Sequence, residues 1–287
     1  MTDTAAASAP SPSPSRMALG RTNWMRRSGE TEGIESIEAF FHGNAYAWHR
    51  HDTYAIGCTL AGVQSFNYRG GKRNSLPGHA MVLHPDEPHD GQAGTDEGFR
   101  YRMLYIEPAL IQSVLGGQPL PFIDGGVTSN RRLVSAAAAL LPALPNRLDP
   151  IELNDALVEL ALALNAASGA PAKRVAADYA SAIRARDYLQ SYWQRAVSMD
   201  ELSAAAGRDR WSLSRDFRTF YGTSPHRYLT MRRLNAARRL MLQGRPLADV
   251  AADTGFADQS HMTRHFKQAF GLTPARWMQL AAGVPFR

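Results

Sequence analysis

The sequence is poor in cysteine and has no long apolar run. Among its 287 residues Cys58 is the only cysteine, so an internal disulfide and a metal cluster held by several thiolates are excluded. No stretch of 18 or more residues is apolar throughout, which excludes a transmembrane helix and predicts no membrane partner. Both features fit a reducing compartment, and we expect a cytoplasmic protein.

The first residues carry almost no charge and no apolar block. Residues 1–15 are mostly Ala, Ser, Thr and Pro with a single acid, Asp3, and this composition does not match a secretory signal. It predicts a disordered tail over residues 1–20. The chain as a whole is 44% hydrophobic, which indicates a folded protein large enough for two domains.

Lysine is scarce, and the positive charge is unevenly distributed. The chain has 32 Lys and Arg against 26 Asp and Glu, and only three of the basic residues are lysines. Residues 181–287 hold 17 basic and 8 acidic residues, a net charge of +9, whereas residues 1–180 have a net charge of −3. A basic carboxyl-terminal third beside a mildly acidic remainder predicts a module that binds a polyanion.

The amino-terminal part has the pattern of short strands separated by turns. Segments 54–60, 63–68, 80–84 and 100–106 are short and rich in β-branched or aromatic residues, as strands are. Clusters of Gly and Pro separate them, and these residues favour turns. The pattern predicts a small β-barrel or sandwich, which we place in residues 21–128.

The next part has a helical period. Segments 131–141 and 151–167 predict a helical hairpin over residues 129–168. In its second helix four leucines form a narrow stripe at spacings of four, three and four residues: Leu153, Leu157, Leu160 and Leu164. Such a stripe serves either as the seam of a homodimer or as a packing face for the chain's own barrel. Residues 169–180 follow as a predicted linker.

An internal repeat is the strongest pattern in the sequence. Segment 213–228 aligns without a gap with segment 262–277, at an offset of 49 residues. Five pairs are identical: Arg215 and Arg264, Phe217 and Phe266, Gly222 and Gly271, Pro225 and Pro274, Arg227 and Arg276. In each copy we expect the glycine to end a helix and the following Ser-Pro or Thr-Pro to begin the next. A short helix precedes each copy, over 200–206 and 247–254, which completes two helix-turn-helix units.

Segment 181–280 resembles the DNA-binding domain of AraC/XylS-type transcription regulators. The resemblance covers both helix-turn-helix units and is closest over 248–274, which looks very similar to the signature of that family. It implies that the second helix of each unit enters a major groove, with successive grooves about 34 Å apart on one DNA face. We place the DNA-binding domain in residues 181–281.

The positions that face DNA by this resemblance are polar or aromatic. In the first unit they are Arg210, Trp211, Ser212 and Arg215, and in the second Gln259, Ser260, His261 and Arg264. Arginine suits guanine, glutamine suits adenine, and the indole suits a thymine methyl or a sugar. Arg227, Arg232 and Arg276 are predicted to be phosphate clamps or ion-pair partners. The aromatic residues of the repeat are predicted to be core.

Histidines cluster in the strand-rich part. His49 and His51 stand before segment 54–60, which we take as the first strand, and His84 and His89 flank the Pro85–Pro88 turn. Segment 45–107 resembles a cupin barrel, as found in the sensor domains of the same regulators. Metal-binding cupins carry a glutamate three or four residues after the His-x-His, where this chain has Ala55 and Ile56. The histidines therefore bind a metal, line an effector pocket or serve a structural role.

The sequence thus predicts an α+β multidomain protein, with an amino-terminal cupin-like β-barrel with helices and a carboxyl-terminal all-α domain with two helix-turn-helix units. We expect a sequence-specific transcription regulator that binds double-stranded promoter DNA, recruits RNA polymerase and responds to a small-molecule effector. The predicted effector residues are His49, His51, Tyr54, His84 and His89. No metal, cofactor or catalytic residue is predicted.

Two other functions fit parts of the pattern. One is a metal-binding cupin enzyme fused to a DNA-binding domain, against which the missing cupin glutamate argues. The other is an architectural protein that contacts only phosphates, against which the base-reading side chains of both units argue.

Overall fold

A computed structural model describes residues 22–27, 33–141, 149–168 and 177–282. The predicted tail over 1–20 and residues 169–176 of the predicted linker lie outside these ranges. We call 22–168 the amino-terminal domain and 177–282 the carboxyl-terminal domain. Within the described ranges no helix is both long and apolar enough to cross a membrane.

The amino-terminal domain is built on ten strands. They are β1 (Trp24–Arg27), β2 (Ile34–Phe41), β3 (Asn44–His49), β4 (Tyr54–Gly62), β5 (Gln64–Tyr68), β6 (Gly71–Ser75), β7 (Ala80–Leu83), β8 (His89–Ala93), β9 (Phe99–Ile106) and β10 (Val127–Thr128). The four predicted strands match β4, β5, β7 and β9. The prediction that the His-x-His precedes the first strand is wrong, because β1 and β2 come before it and His49 is the last residue of β3.

The strands form two antiparallel sheets. One has the order β1-β2-β9-β4-β7-β10 and the other the order β3-β8-β5-β6. Their inner faces share a core to which Phe41 and Tyr101 contribute from the larger sheet and Phe66 and Tyr68 from the smaller. The predicted cupin-like fold is confirmed as a two-sheet sandwich. Apolar residues that point into the sandwich alternate with residues that point outward, because successive side chains of a strand face opposite sides of the sheet.

Ten helices accompany the strands in the described part of the chain. They are α1 (Pro108–Leu115), α2 (Arg131–Ala139), α3 (Pro150–Ala167), α4 (Tyr179–Ser191), α5 (Met199–Ala206), α6 (Arg210–Tyr221), α7 (Pro225–Leu242), α8 (Leu247–Asp253), α9 (Gln259–Phe270) and α10 (Pro274–Ala281). Helix α1 was not predicted, and α4 begins inside the stretch predicted to be a linker. The other helices follow the sequence pattern to within a few residues.

The leucine stripe of α3 packs inside the chain. Leu160 and Leu164 are fully buried, Leu157 is nearly so and Leu153 is partly buried, all in a cluster with residues of α1, α2 and the larger sheet. Of the two interpretations of this stripe, packing on the chain's own sandwich is therefore the one observed. Ile151 and Leu162 remain exposed on the same helix.

The repeat folds as its sequence predicts. Helices α6 and α9 each have 12 residues and end at a glycine in the left-handed region, Gly222 at φ 70° and Gly271 at φ 67°. Without a β-carbon, glycine adopts this conformation at little cost. Ser224 and Thr273 then accept backbone N–H groups as N-caps of α7 and α10, with proline as the first helical residue.

Candidate functional site

The outer face of α6 carries the four predicted DNA contacts of the first unit. Trp211 is 72% exposed, and Arg215 is exposed with its guanidinium 2.9 Å from the Ser212 hydroxyl. Arg210 pairs with Asp200 at 2.8 Å, and both side chains are largely in solvent. A large indole left in water at the start of a helix forms a surface that a partner can cover.

The matching face of α9 is divided. Gln259, Ser260 and Arg264 are exposed, and among the described residues Arg264 has no hydrogen bond or ion pair. His261 instead points back into the chain, where its Nε2 lies 2.9 Å from the Nε2 of His265. Among the eight predicted contacts, His261 thus differs from Arg210 and Arg215, which are also engaged but whose partners lie on the exposed face of the first unit.

Three of the predicted effector residues lie together. The ring centroids of His49 and His89 are 4.2 Å apart, and those of His51 and His89 are 4.9 Å apart. The pairing of β3 with β8 sets His49 opposite His89, and His51 follows two residues later. All three side chains are almost fully buried. We call these three residues the histidine cluster.

The other two predicted effector residues lie elsewhere in the sandwich. The hydroxyl of Tyr54 donates to the carbonyl of Pro121 at 2.7 Å. His84 contacts the Tyr68 hydroxyl through Nδ1 and accepts the backbone N–H of Ile123 through Nε2 at 2.9 Å. Both side chains are buried, and their contacts hold the loop after α1 against the larger sheet. The histidines that the sequence groups together are thus two separate sets.

Burial keeps the histidine cluster neutral. It lowers the pKa of His51 to about 3 and that of His89 to about 4. For His49 burial, together with His89 and His51, holds the pKa well below its ordinary value. Since each ring lacks the second proton, each offers one lone-pair nitrogen at neutral pH.

A cavity of about 80 Å³ opens beside this cluster, between the two domains. The amino-terminal domain contributes Glu35, Tyr46, His49, His51, Tyr105 and Glu107 to its walls. The carboxyl-terminal domain contributes Met231, Asn235, Arg238, Phe270 and Trp277. The volume is sufficient for several water molecules or a small organic group. A molecule bound here touches both domains at once.

Ion pairs between α7 and the sandwich flank the cavity. Arg232 contacts Asp52 at 3.0 Å and also pairs with Glu107. Burial raises the pKa of Asp52, because Arg232 only partly offsets the cost of desolvation. The predicted role of Arg232 as an ion-pair partner is therefore the one observed, and Arg227 likewise pairs with Asp86.

A second group of ion pairs lies in the wall of the cavity and joins the two domains. Glu35 of β2 binds Arg238 of α7 at 2.6 Å and also pairs with Arg27. Burial alone would raise the pKa of Glu35, but the two guanidinium groups lower it below its ordinary value. Sequence analysis missed Glu35 and Arg238. The available signal was the two acids, Glu35 and Glu38, in a strand whose other residues are mostly apolar, since such acids are buried only with a partner.

Two family models match the chain. The AraC-like ligand binding domain matches residues 33–161, and a helix-turn-helix domain matches residues 202–279. The "Uncharacterized HTH-type transcriptional regulator YbfI" of Bacillus subtilis is 24% identical over 220 residues, which is 75% of this chain and 80% of that protein. Two further relatives match over about 90 residues, and this matched segment covers about a third of the length of each relative.

A shorter relative and a solved structure complete the comparison. The "Probable transcription factor PqrA" of Proteus vulgaris is 33% identical over 95 residues, covering 32% of this chain and 78% of that protein. ToxT from Vibrio cholerae has the same fold with a TM-score of 0.64 at 11% identity, covering 88% of this chain and 100% of ToxT. Another ToxT structure, with a TM-score of 0.59 at 12% identity over 93% of this chain and 96% of ToxT, holds an unsaturated fatty acid. The chain belongs to the AraC/XylS family of DNA-binding transcription regulators.

Proposed function

We propose that this regulator reads two adjacent DNA subsites with α6 and α9. We further propose that a small molecule in the interdomain cavity controls the spacing of these two helices. The observation that carries the proposal is the cavity itself, whose walls come from both domains. A ligand changes an equilibrium only if it binds two states with different affinity. A site shared between domains meets this condition, because its geometry changes whenever the domains move.

The DNA-binding half of the proposal rests on the exposed faces of α6 and α9. Arg210, Trp211, Ser212 and Arg215 are assigned to the first subsite. Gln259, Ser260 and Arg264 are assigned to the second, with His261 as a residue that supports the helix. Arginine and glutamine side chains discriminate bases through paired hydrogen bonds in the major groove. This favours sequence-specific reading over contacts with phosphates alone.

The coupling half rests on where the two recognition helices end. The backbone N–H of Arg50 donates to the carbonyl of Gln268 in α9 at 3.1 Å, and the N–H of Leu120 donates to the carbonyl of Thr219 in α6 at 3.3 Å. The amino-terminal domain thus contacts the last turns of both helices. A shift of that domain alters the spacing of α6 and α9, on which simultaneous entry into two grooves depends.

The chemistry of the walls defines the class of effector. Met231, Phe270 and Trp277 form an apolar side, and Arg238 and Glu107 supply charge. Such a cavity suits a small amphipathic molecule. The unsaturated fatty acid held by ToxT is also amphipathic.

The remaining partners are part of the same proposal. We propose that the protein regulates transcription by recruiting or blocking RNA polymerase. We also propose that it acts in the cytoplasm, and we assign it no catalytic activity. Since the leucine stripe of α3 is buried within the chain, a homodimer would use the exposed Ile151 and Leu162 of that helix instead.

Selection of the full-length protein on random duplex DNA at physiological salt tests the first half. We expect two short conserved subsites about one helical turn apart. Strong retention without an enriched motif would contradict base reading and support an architectural role.

The second half is tested with a panel of small organic acids and unsaturated fatty acids, measured for their effect on affinity for the selected DNA. We expect at least one compound to change the affinity of the wild type. The variant Asn235→Trp, which fills the cavity, should not respond, whereas Leu242→Trp on the exposed side of α7 should respond like the wild type. An equal response of all three proteins would exclude the cavity as the effector site.

A further inference from the structure

The nitrogen atoms of the histidine cluster converge. His49, His51 and His89 each present one ring nitrogen, and these three atoms all lie within 4.8 Å of one another. In a tetrahedral metal site with bonds of about 2.0–2.1 Å, ligand nitrogens are about 3.4 Å apart. Small rotations of the rings are enough to close the remaining distance.

The second nitrogen of each ring is held by the backbone. The Nδ1 atoms of His49, His51 and His89 lie 2.8, 2.8 and 3.0 Å from the carbonyl oxygens of Ala47, Thr53 and Glu87. A carbonyl accepts only from a protonated nitrogen, so these contacts favour the Nδ1–H form of each neutral ring. In His51 and His89 they leave Nε2 as the atom with a lone pair for a ligand, whereas His49 also interacts with the backbone of His89. An outer hydrogen bond of this kind is how metal-binding histidines are oriented.

One of these acceptors has no partner. The Nε2 atom of His51 is buried and makes no hydrogen bond among the described residues. A buried polar atom without a partner destabilises the folded protein, and a bound cation removes that cost. Three imidazoles oriented by carbonyls around a shared point are a built site rather than a chance grouping.

We propose that His49, His51 and His89 bind a divalent transition-metal ion of the zinc class in the wall of the interdomain cavity. The sequence argued against a metal because the cupin glutamate is replaced, but three imidazoles are a complete set of protein ligands when a fourth position is left open. His49 and His51 both line the cavity, so the open position faces the space assigned to the effector. An effector with a coordinating oxygen or nitrogen then binds the metal directly; this last step rests on the proposed function, whereas the metal site does not.

Titration of the untagged, chelator-treated full-length protein with Co²⁺ tests the site, read by the visible absorption of the bound ion and by calorimetry. We expect one equivalent to bind and Zn²⁺ to displace it. The variants His51→Gln and His89→Gln should bind at least about 100-fold more weakly, since the loss of an outer-shell partner alone weakens metal binding about 10–100-fold. The variant His265→Gln removes the other close histidine pair, that with His261, and should bind like the wild type.

Three results would overturn the proposal: no cobalt binding by the folded wild type, equal binding by His51→Gln, or loss of binding in His265→Gln alone. Circular dichroism of each variant shows whether it has folded, and the wild-type titration decides the matter if a variant has not. DNA affinity measured on the same metal-free samples separates this test from that of the proposed function. A protein that binds DNA but not cobalt loses only the metal site.

Discussion

Gly271, the residue that ends α9, lies directly against His49 of the sandwich. A β-carbon on Gly271 would stand 2.9 Å from the Nδ1 atom of His49 and 2.8 Å from the carbonyl oxygen of Ala47. The first unit repeats the arrangement, because a β-carbon on Gly222 would stand 2.6 Å from the β-carbon of Pro85. Each recognition helix therefore ends where only glycine allows the two domains to meet.

We expect Gly271→Ala to weaken the contact between the domains. The left-handed backbone alone costs a β-carbon residue about 1–2 kcal/mol, and the steric overlap adds about 1–3 kcal/mol. The control is Gly244→Ala, which has a comparable φ of 77° and no atom within 4 Å of the new β-carbon. Urea denaturation should show the larger loss of unfolding free energy for Gly271→Ala. Equal losses would mean that the domains do not pack here in solution.

Replacement of Arg232 by methionine tests the buried charges beside the cavity. The substitution keeps the aliphatic stem and leaves Asp52 and Glu107 without their cation. Breaking a buried pair in this way costs about 3–5 kcal/mol. The exposed pair of Arg245 with Asp253 provides the control, since such pairs contribute about 0–1 kcal/mol. If Arg232→Met and Arg245→Met lose the same unfolding free energy, the interdomain pair is not formed.

The acid side of the stability profile should depend on Glu38. Burial would raise its pKa, but hydrogen bonds from Arg102 and Arg100 hold the pKa below the ordinary value of 4.5. A carboxyl whose folded pKa is depressed stabilises the protein above its unfolded pKa and loses this contribution as the pH falls through the folded value. We expect Glu38→Gln to be less stable than the wild type at pH 7 and the difference to shrink below pH 4.5. A difference that does not change with pH would contradict this assignment.

The helix-turn-helix repeat was predictable because its determinants are local. Gly222 and Gly271 end helices, and Ser224 and Thr273 begin the next, through contacts within three or four residues. Helical spacing also identified Phe217 and Phe266 as core, and both are fully buried. Such signals need no knowledge of the remainder of the fold.

The cavity was not predictable, since its determinants are long-range. His89 meets His49 only through the pairing of β8 with β3, and Glu35 of β2 meets Arg238 of α7 only because the two domains bring these side chains together. The sequence placed His84 with the other histidines because it lies five residues from His89. His84 follows β7 of the larger sheet, whereas His89 begins β8 of the smaller sheet. His84 therefore contacts Tyr68 instead. Distance along the chain does not decide which side of a sandwich a residue faces.

Arg264→Ala should change what the protein recognises and not only how strongly it binds. We expect a loss of about 1–3 kcal/mol in binding free energy on the selected DNA and relaxed preference at one base pair. The control is Lys267→Ala, an exposed basic residue one turn further along α9, whose loss should weaken binding to all sequences alike. Repeating the DNA selection with both variants separates these effects. A uniform loss for Arg264→Ala would assign it to a phosphate.

Trp211 provides the most direct test of the first unit, because its exposure separates DNA binding from folding. Its indole is 72% exposed, so Trp211→Ala removes few contacts within the protein and should change the unfolding free energy by no more than about 0.5 kcal/mol. If the ring instead packs against DNA, its removal should cost at least about 1 kcal/mol of binding. Leu76→Ala is the control, since Leu76 is a large apolar residue that is 44% exposed in the turn between β6 and β7 of the amino-terminal domain. Equal DNA affinity of the two variants, at unchanged stability, would remove Trp211 from the interface and leave α6 without its largest predicted contact.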